Sequence, residues 1–138
     1  MRRLPPLALA LSVLLSSLPA WGSDLSKGPP PAPYEPVSKL VGLPDFIPGL
    51  GTLYADPKTL PEGPYLAYDH HDNQVSTVYM IPLSDLEAHK DFKNLPAPGG
   101  KVDHMDLIFN PGHSGLEKPH YHIILWQVPV SGEKAVAK

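Results

Sequence analysis

Proline most constrains what this chain can fold into, because it breaks helices and is excluded from central strands. The 138 residues include 19 prolines. Five of them fall within the nine residues GPPPAPYEP at positions 28–36, which therefore cannot form a packed helix or strand. We expect residues 23–36 to be a disordered, polyproline-like arm.

Prolines and glycines also interrupt residues 37–64, which predicts a meandering loop with one short strand, Thr52–Ala55. Longer uninterrupted segments are rich in β-branched and aromatic residues and predict two hairpins. Their four strands are expected at Tyr65–Asp69, Gln74–Ile81, Lys101–Phe109 and His120–Val128.

A short helix is expected between the hairpins. Ser84 can act as its N-cap with Glu87 three residues later, as in a capping box, and LPAPGG ends the helix near Asn94. The order hairpin, helix, hairpin predicts a mainly β, α+β fold, either a small antiparallel sheet or an open barrel with one short helix. We expect one domain over residues 37–130 and a frayed tail over residues 131–138.

The N-terminus has the order of a secretory signal peptide. Arg2 and Arg3 precede an apolar run at residues 7–15 and a stretch of small residues that ends at Gly22. Cleavage after Gly22 fits best, and cleavage after Ala20 is the alternative. The apolar run is shorter than the roughly 20 residues that span a bilayer. We therefore expect residues 1–22 to be removed, no membrane span to remain, and the protein to be periplasmic or secreted.

Removal of the signal peptide makes the chain more acidic. It takes away both arginines, so the formal charge changes by two units, from −3 to −5. A net negative charge argues against binding to nucleic acid or to an anionic membrane surface. Without arginine the chain lacks the usual bidentate clamp for carboxylate or phosphate substrates, and without cysteine it lacks a thiol nucleophile. These features argue against an enzyme, and we assign no catalytic or cofactor-binding residue.

Four of the seven histidines lie in the segment HMDLIFNPGHSGLEKPHYH, residues 104–122. Because side chains alternate across a strand, His104 and Asp106 share one face of the third strand, and His120 and His122 share one face of the fourth. The opposite face of the third strand is more apolar and is expected to face the core. It carries Asp103, Met105, Leu107 and Phe109.

Whether the two polar pairs meet depends on the register of these strands. Placing Ile108 opposite His120 also places Asp106 opposite His122, with a loop from residue 109 to residue 119. A slip by one residue would put the pairs on opposite faces of the sheet.

Neutral imidazole and carboxylate groups are ligands for Zn²⁺, Cu²⁺, Ni²⁺ and Fe²⁺. We therefore hypothesise that His104, His120 and His122 bind a divalent metal ion. Asp106 would be a further ligand or a hydrogen-bond acceptor behind the ligands. His113 lies in a glycine-containing loop and could close over the hairpin as an optional ligand.

Two alternatives remain open. The histidines could form a hydrogen-bonded polar cluster without metal, in a structural module that assembles as a homo-oligomer and buries Ile124 and Trp126. A cupin-like metalloenzyme is the other alternative, although its ligand-bearing strands are usually further apart than these.

The segments GPYLAYDHHDNQVSTVYMIPLSDLE and HMDLIFNPGHSGLEKPHYHIILW resemble a family of exported bacterial β-rich proteins of unknown function, typified by a Thermus protein under extracytoplasmic stress-sigma control. The resemblance covers residues 50–128 and is most specific over residues 110–122. It implies a compact β-rich domain, a ring-like homo-oligomer and no known activity. By position it points to His104, His113, His120 and His122. Ile123 and Ile124 stand where a further acidic residue is expected.

Overall fold

The computed structural model describes residues 24–138, so the expected signal peptide at residues 1–22 lies outside the described residues. They form an open antiparallel sheet of six strands in the order β1-β2-β3-β4-β6-β5. The strands are β1 (Glu35–Pro36), β2 (Thr52–Ala55), β3 (Tyr65–Tyr68), β4 (Gln74–Pro82), β5 (His104–Asn110) and β6 (His120–Trp126). The helices are α1 (Val37–Leu40), α2 (Leu83–Glu87) and two 3₁₀ helices, Pro57–Thr59 and Val130–Val136. The predicted mainly β fold is confirmed. No helix within residues 24–138 combines the length and apolar character needed to cross a membrane.

The helix α2 is shorter than predicted. It begins at Leu83 after Pro82, without a side-chain cap from Ser84, and ends at Glu87 instead of near Asn94. None of its residues is buried, so no packed face stabilises further turns. His89 then takes a φ of 57°, which leaves the right-handed helical region.

The main hydrophobic cluster lies on one face of the sheet. Val78 and Met80 of β4 and Ile124 and Trp126 of β6 point into it, each at most 6% exposed. The chain from α1 to Leu50, the loop around Leu116, and Val136 of the C-terminal helix cover this face. The core is therefore a layer between the sheet and irregular segments.

The expectation that the odd-numbered face of β5 faces the core was wrong. Met105, Leu107 and Phe109 are 58%, 60% and 51% exposed. The sheet order explains this, because β5 lies at the edge and pairs only with β6. On that face the segment around Pro98 bonds to Thr77 in the central strand β4 (2.8 Å) and leaves the odd-numbered face of β5 exposed.

The described part of the Pro-rich arm, residues 24–36, is bonded to the sheet and is not a free arm. Gln74 N donates to the Ser26 carbonyl (2.9 Å), Gly28 N donates to the Asp72 carbonyl (2.8 Å), and the Tyr68 hydroxyl donates to the Leu25 carbonyl (2.8 Å). Proline restricts the unfolded chain to extended conformations, so fixing this segment costs less conformational entropy than fixing a segment of the same length without proline.

The C-terminal residues 131–138 also differ from the expected frayed tail. They continue the 3₁₀ helix Val130–Val136, and Val136 is fully buried. The carbonyl of Val136 accepts a hydrogen bond from Gly49 N at 2.6 Å. The buried Val136 side chain therefore anchors this segment.

Candidate metal centre

The hairpin of β5 and β6 is shifted by two residues from the expected register. Asn110 lies opposite His120, and Ile108 lies opposite His122. Because the shift is even, each side chain stays on its predicted face. The strand β5 extends to Asn110 and stops at Pro111, which has no N–H to pair, and the Asn110 side chain accepts from Gly112 N at 2.8 Å.

This register separates the two predicted pairs. His104 lies opposite Trp126, and Asp106 lies opposite Ile124. The residue opposite His122 is Ile108, which lies four residues along β5 from His104. At about 3.3 Å per residue, this is a distance of about 13 Å. His104 and Asp106 share the face of His120 and His122 but do not reach them.

Three imidazoles meet where the loop joins the hairpin. The Nε2 atom of His122 lies 2.9 Å from that of His120 and 3.2 Å from that of His113. The Nε2 atoms of His113 and His120 are also 3.2 Å apart. His120 is fully buried, and His122 is only 9% exposed. The three rings thus offer one ligand atom each to a common point, and we call them the histidine triad.

A tight turn holds His113 in the triad. His113 and Leu116 exchange two backbone hydrogen bonds, each 3.0 Å long. Gly115 between them has a φ of 93°, the conformation that the third position of a type II turn requires. Leu116 is buried in the core, so packing fixes the loop that the sequence presents as flexible.

Backbone carbonyls fix the tautomers of two of the three rings. His120 Nδ1 is 2.6 Å from the Lys118 carbonyl oxygen, and His113 Nδ1 is 2.9 Å from the Ser114 carbonyl oxygen. Carbonyl oxygens only accept, so both Nδ1 atoms carry protons and donate them. In the neutral rings both Nε2 atoms then carry lone pairs. The 3.2 Å contact between them is repulsive unless a cation lies between the rings.

Burial keeps two rings of the triad neutral. Burial, together with the nearby rings of His120 and His113, lowers the pKa of His122 to about 4. Burial also lowers the pKa of His120, against the opposing effect of its hydrogen bond to the Lys118 carbonyl. Metal ions bind the neutral form of imidazole, so these two side chains need no deprotonation at pH 7.

The nitrogen separations match those of ligands around one metal ion. Two nitrogens that each lie about 2.05 Å from an ion are about 2.9 Å apart at a right angle and about 3.3 Å apart at the tetrahedral angle. The observed separations, 2.9, 3.2 and 3.2 Å, fall within that interval. Three such ligands occupy one side of an ion and leave other coordination positions for water or a further ligand.

The predicted residues His104 and Asp106 belong to a second cluster, which includes Glu133. His104 Nε2 is 2.6 Å from Glu133 Oε1, and its Nδ1 is 2.8 Å from Asp103 Oδ1. Hydrogen bonds to Glu133 and then Asp103 raise the pKa of His104. A carboxylate at each nitrogen favours the doubly donating imidazolium form of His104, in which neither nitrogen has a lone pair for a metal. This cluster ties the C-terminal helix to β5.

An apolar cavity of about 560 Å³ adjoins the histidine triad. It lies between the sheet and the chain segment from α1 to Leu50. His113 and His122 form part of its wall. A cavity of this size is within the range of small-molecule sites, about 300–1,000 Å³.

Sequence reasoning missed Glu133 and the two carbonyl groups. Glu133 lies 29 residues from His104 in a segment without periodicity, so no pattern connects them. The Lys118 carbonyl does have a sequence signal. Pro119 restricts the residue before it to an extended conformation, which helps to orient the Lys118 carbonyl next to His120.

Comparison with known proteins gives a structural relative. The hypothetical protein TTHB210 from Thermus thermophilus is 45% identical to this chain, over 69% of this chain and 87% of that one, with a TM-score of 0.59. No family model matches the chain. No curated protein matches it either. The relative is itself described as hypothetical, so the comparison supplies a family and no activity.

Proposed function

This chain belongs to the family of the hypothetical Thermus protein TTHB210, and we propose that it binds a divalent metal ion through the Nε2 atoms of His113, His120 and His122. The contact between His113 and His120 carries the proposal. Both rings donate from Nδ1 to a carbonyl, and their Nε2 lone pairs face each other at 3.2 Å. A divalent ion satisfies all three nitrogens of the triad at once, whereas a proton satisfies only one pair.

The carbonyl partners of the two Nδ1 atoms strengthen the proposal. Histidines that bind metals usually donate the other ring N–H to a carbonyl or carboxylate, which fixes the ring and makes the ligand atom more basic. Lys118 and Ser114 supply these acceptors through their backbones. All three ligands are imidazoles, which suit Zn²⁺, Cu²⁺, Ni²⁺ and Fe²⁺.

Calorimetric titration of the protein, purified without a histidine tag, tests this function. Zn²⁺ and Cu²⁺ are each expected to bind one ion per chain, with dissociation constants in the micromolar range or below. Metal analysis of the protein as purified from cells is a second readout. Binding no tighter than millimolar for each of Zn²⁺, Cu²⁺, Ni²⁺ and Fe²⁺ would contradict the proposal.

We further propose that the protein acts outside the cytoplasm, in a stress-related role. The charged, apolar and small-residue order of residues 1–22 supports export, and the family resemblance of the sequence is what suggests a stress-related role. Mass spectrometry of the protein from a periplasmic or culture fraction is expected to find an N-terminus after Gly22 or after Ala20. A chain that retains Met1 and stays in the cytoplasm would contradict export.

A structural module that assembles as a homo-oligomer is a second candidate function. The observation that favours it is the exposed apolar face of the edge strand β5, formed by Met105, Leu107 and Phe109. Edge strands with such faces tend to associate. Light scattering after size exclusion is expected to give a mass above that of one chain, and Leu107→Lys is expected to reduce it. A strict monomer removes this candidate and leaves metal binding unaffected.

A further inference from the structure

The apolar cavity beside the histidine triad carries an inference about a ligand, which rests on the proposed metal site. We infer that the cavity holds the chain of a linear aliphatic carboxylate, whose head group completes the coordination of the metal ion.

Most of the cavity wall is aliphatic. The sheet contributes Leu53, Val78, Met80 and Ile124, and the covering segment contributes further aliphatic side chains such as Ile47 and Leu50. A cavity walled in this way stays dry or takes an apolar ligand. A flexible alkyl chain suits it better than a polar metabolite, which would leave most of its hydrogen-bonding groups unpaired.

The polar lining residues gather near the triad. Asn110, His113, Ser114 and His122 belong to the end of β5, the loop and the start of β6. Tyr65, the other polar side chain of the wall, already donates its hydroxyl to the Pro61 carbonyl at 2.6 Å. The cavity therefore has one polar region in an otherwise apolar wall, which matches a ligand with a single polar head.

The charge of the metal site selects an anionic head. Three neutral imidazoles leave the full charge of a divalent ion uncompensated, and the triad contains no carboxylate. Among the described residues, those that line the cavity include no acidic or basic side chain apart from the two histidines. A carboxylate supplies both the negative charge and an oxygen ligand, for which bonds of about 2.0–2.2 Å to Zn²⁺ are usual.

Calorimetric titration with decanoate tests the inference, after zinc binding has been measured separately on the same protein. Decanoate is expected to bind the zinc-loaded protein at least about ten-fold more tightly than the metal-free protein. Affinity should rise about four-fold for each added methylene from octanoate upward and stop rising when the cavity is full. Decyltrimethylammonium has the same chain and a cationic head, so zinc should not raise its affinity for the protein.

A variant that fills the cavity separates the ligand from the metal. Leu50→Trp places a large side chain in the wall next to β2, which β3 and β4 separate from β6 in the sheet. Zinc affinity should therefore stay the same while decanoate binding falls at least about ten-fold. Ile47→Trp gives a second such variant if the first does not fold. Leu95→Trp, on the other face of the sheet and 39% exposed, is the control and should bind both ligands normally.

The outcomes are distinguishable from failure of the metal site. Zinc binding without decanoate binding, or decanoate binding that zinc does not strengthen, overturns the ligand inference and leaves the proposed function standing. Absence of zinc binding overturns both.

Discussion

Two histidines of this chain differ in chemistry because of the atoms that their ring nitrogens meet. His104 has a carboxylate at each nitrogen, which raises its pKa and favours the imidazolium form. His120 has a carbonyl at Nδ1 and other imidazoles at Nε2, and burial lowers its pKa. The same type of side chain is therefore favoured as a cation in an ion pair at one place and as a neutral candidate metal ligand at the other.

Replacement of single histidines tests this difference. His122→Gln removes one of the three proposed ligands and is expected to weaken zinc binding by about a hundred-fold or more, since loss of even an outer hydrogen-bond partner costs about 10–100-fold. His104→Gln, which leaves the triad intact, should bind zinc as the unchanged protein does. Calorimetry on both variants is the measurement. Equal losses of zinc affinity in the two variants would contradict the assignment of His104 to a separate cluster.

The buried triad also predicts how the stability of the metal-free protein depends on pH. The pKa of His122 is about 4 in the folded chain and about 6.5 in the unfolded chain, so the unfolded chain binds the proton more readily between these values. Its contribution to the free energy of unfolding is present above about pH 6.5 and is lost as the pH falls towards 4.

Urea denaturation at pH 7 and pH 5 measures this effect. The decrease in the free energy of unfolding from pH 7 to pH 5 should be on the order of 1–2 kcal/mol larger in the unchanged protein than in His122→Gln. A larger loss in the variant, or the same loss in both, would show that His122 is not buried in its neutral form.

At the scale of elements, the hairpin of β5 and β6 shows what a sequence can and cannot predict. Alternation correctly assigned His120 and His122 to one face, because the side-chain period of a strand is fixed. It could not give the register, which depends on where Asn110 and Pro111 end the strand. Nor could it show which face of β5 is buried, because that depends on the order of strands in the sheet.

The turn that carries His113 depends on Gly115, which adopts a positive φ. Gly115→Ala puts a Cβ at a φ of 93° and about 3.1 Å from the side chain of Val41, which strains the turn by about 1 kcal/mol or more. We expect zinc affinity to fall about ten-fold as His113 shifts, with the fold retained. Gly42→Ala is the matched control, since its Cβ would meet only Ser114 at 3.6 Å. Unchanged zinc affinity in Gly115→Ala would mean that His113 is not a ligand.

At the scale of the whole molecule, segments distant in sequence cover one face of one sheet. The chain from α1 to Leu50, the loop with Leu116, and the C-terminal helix with Val136 all pack on the face that carries the triad. The sequence predicted the sheet from its β-rich runs, but not this covering layer. Its residues are isolated apolar side chains among prolines, glycines and charges, with no period that would indicate burial. Their position follows from contacts that only the folded sheet provides.

Because the triad joins the loop to two positions on β6, an ion bound there should stabilise the whole domain. At a zinc concentration of about 100 times the dissociation constant, binding to the folded state alone adds about 2.7 kcal/mol to the free energy of unfolding. For a domain of this size this raises Tm by roughly 10 °C. Differential scanning fluorimetry with increasing zinc measures it, with His120→Gln as the control that should show little shift. A Tm that is independent of zinc in the unchanged protein would contradict coordination in the folded state.

The most direct test of the metal site is anomalous diffraction at the zinc absorption edge from crystals of the zinc-loaded protein. We predict one strong peak per chain, about 2.0–2.1 Å from the Nε2 atoms of His113, His120 and His122. A peak among His104, Asp106 and Glu133 instead, or no peak at either cluster, would contradict coordination by the triad.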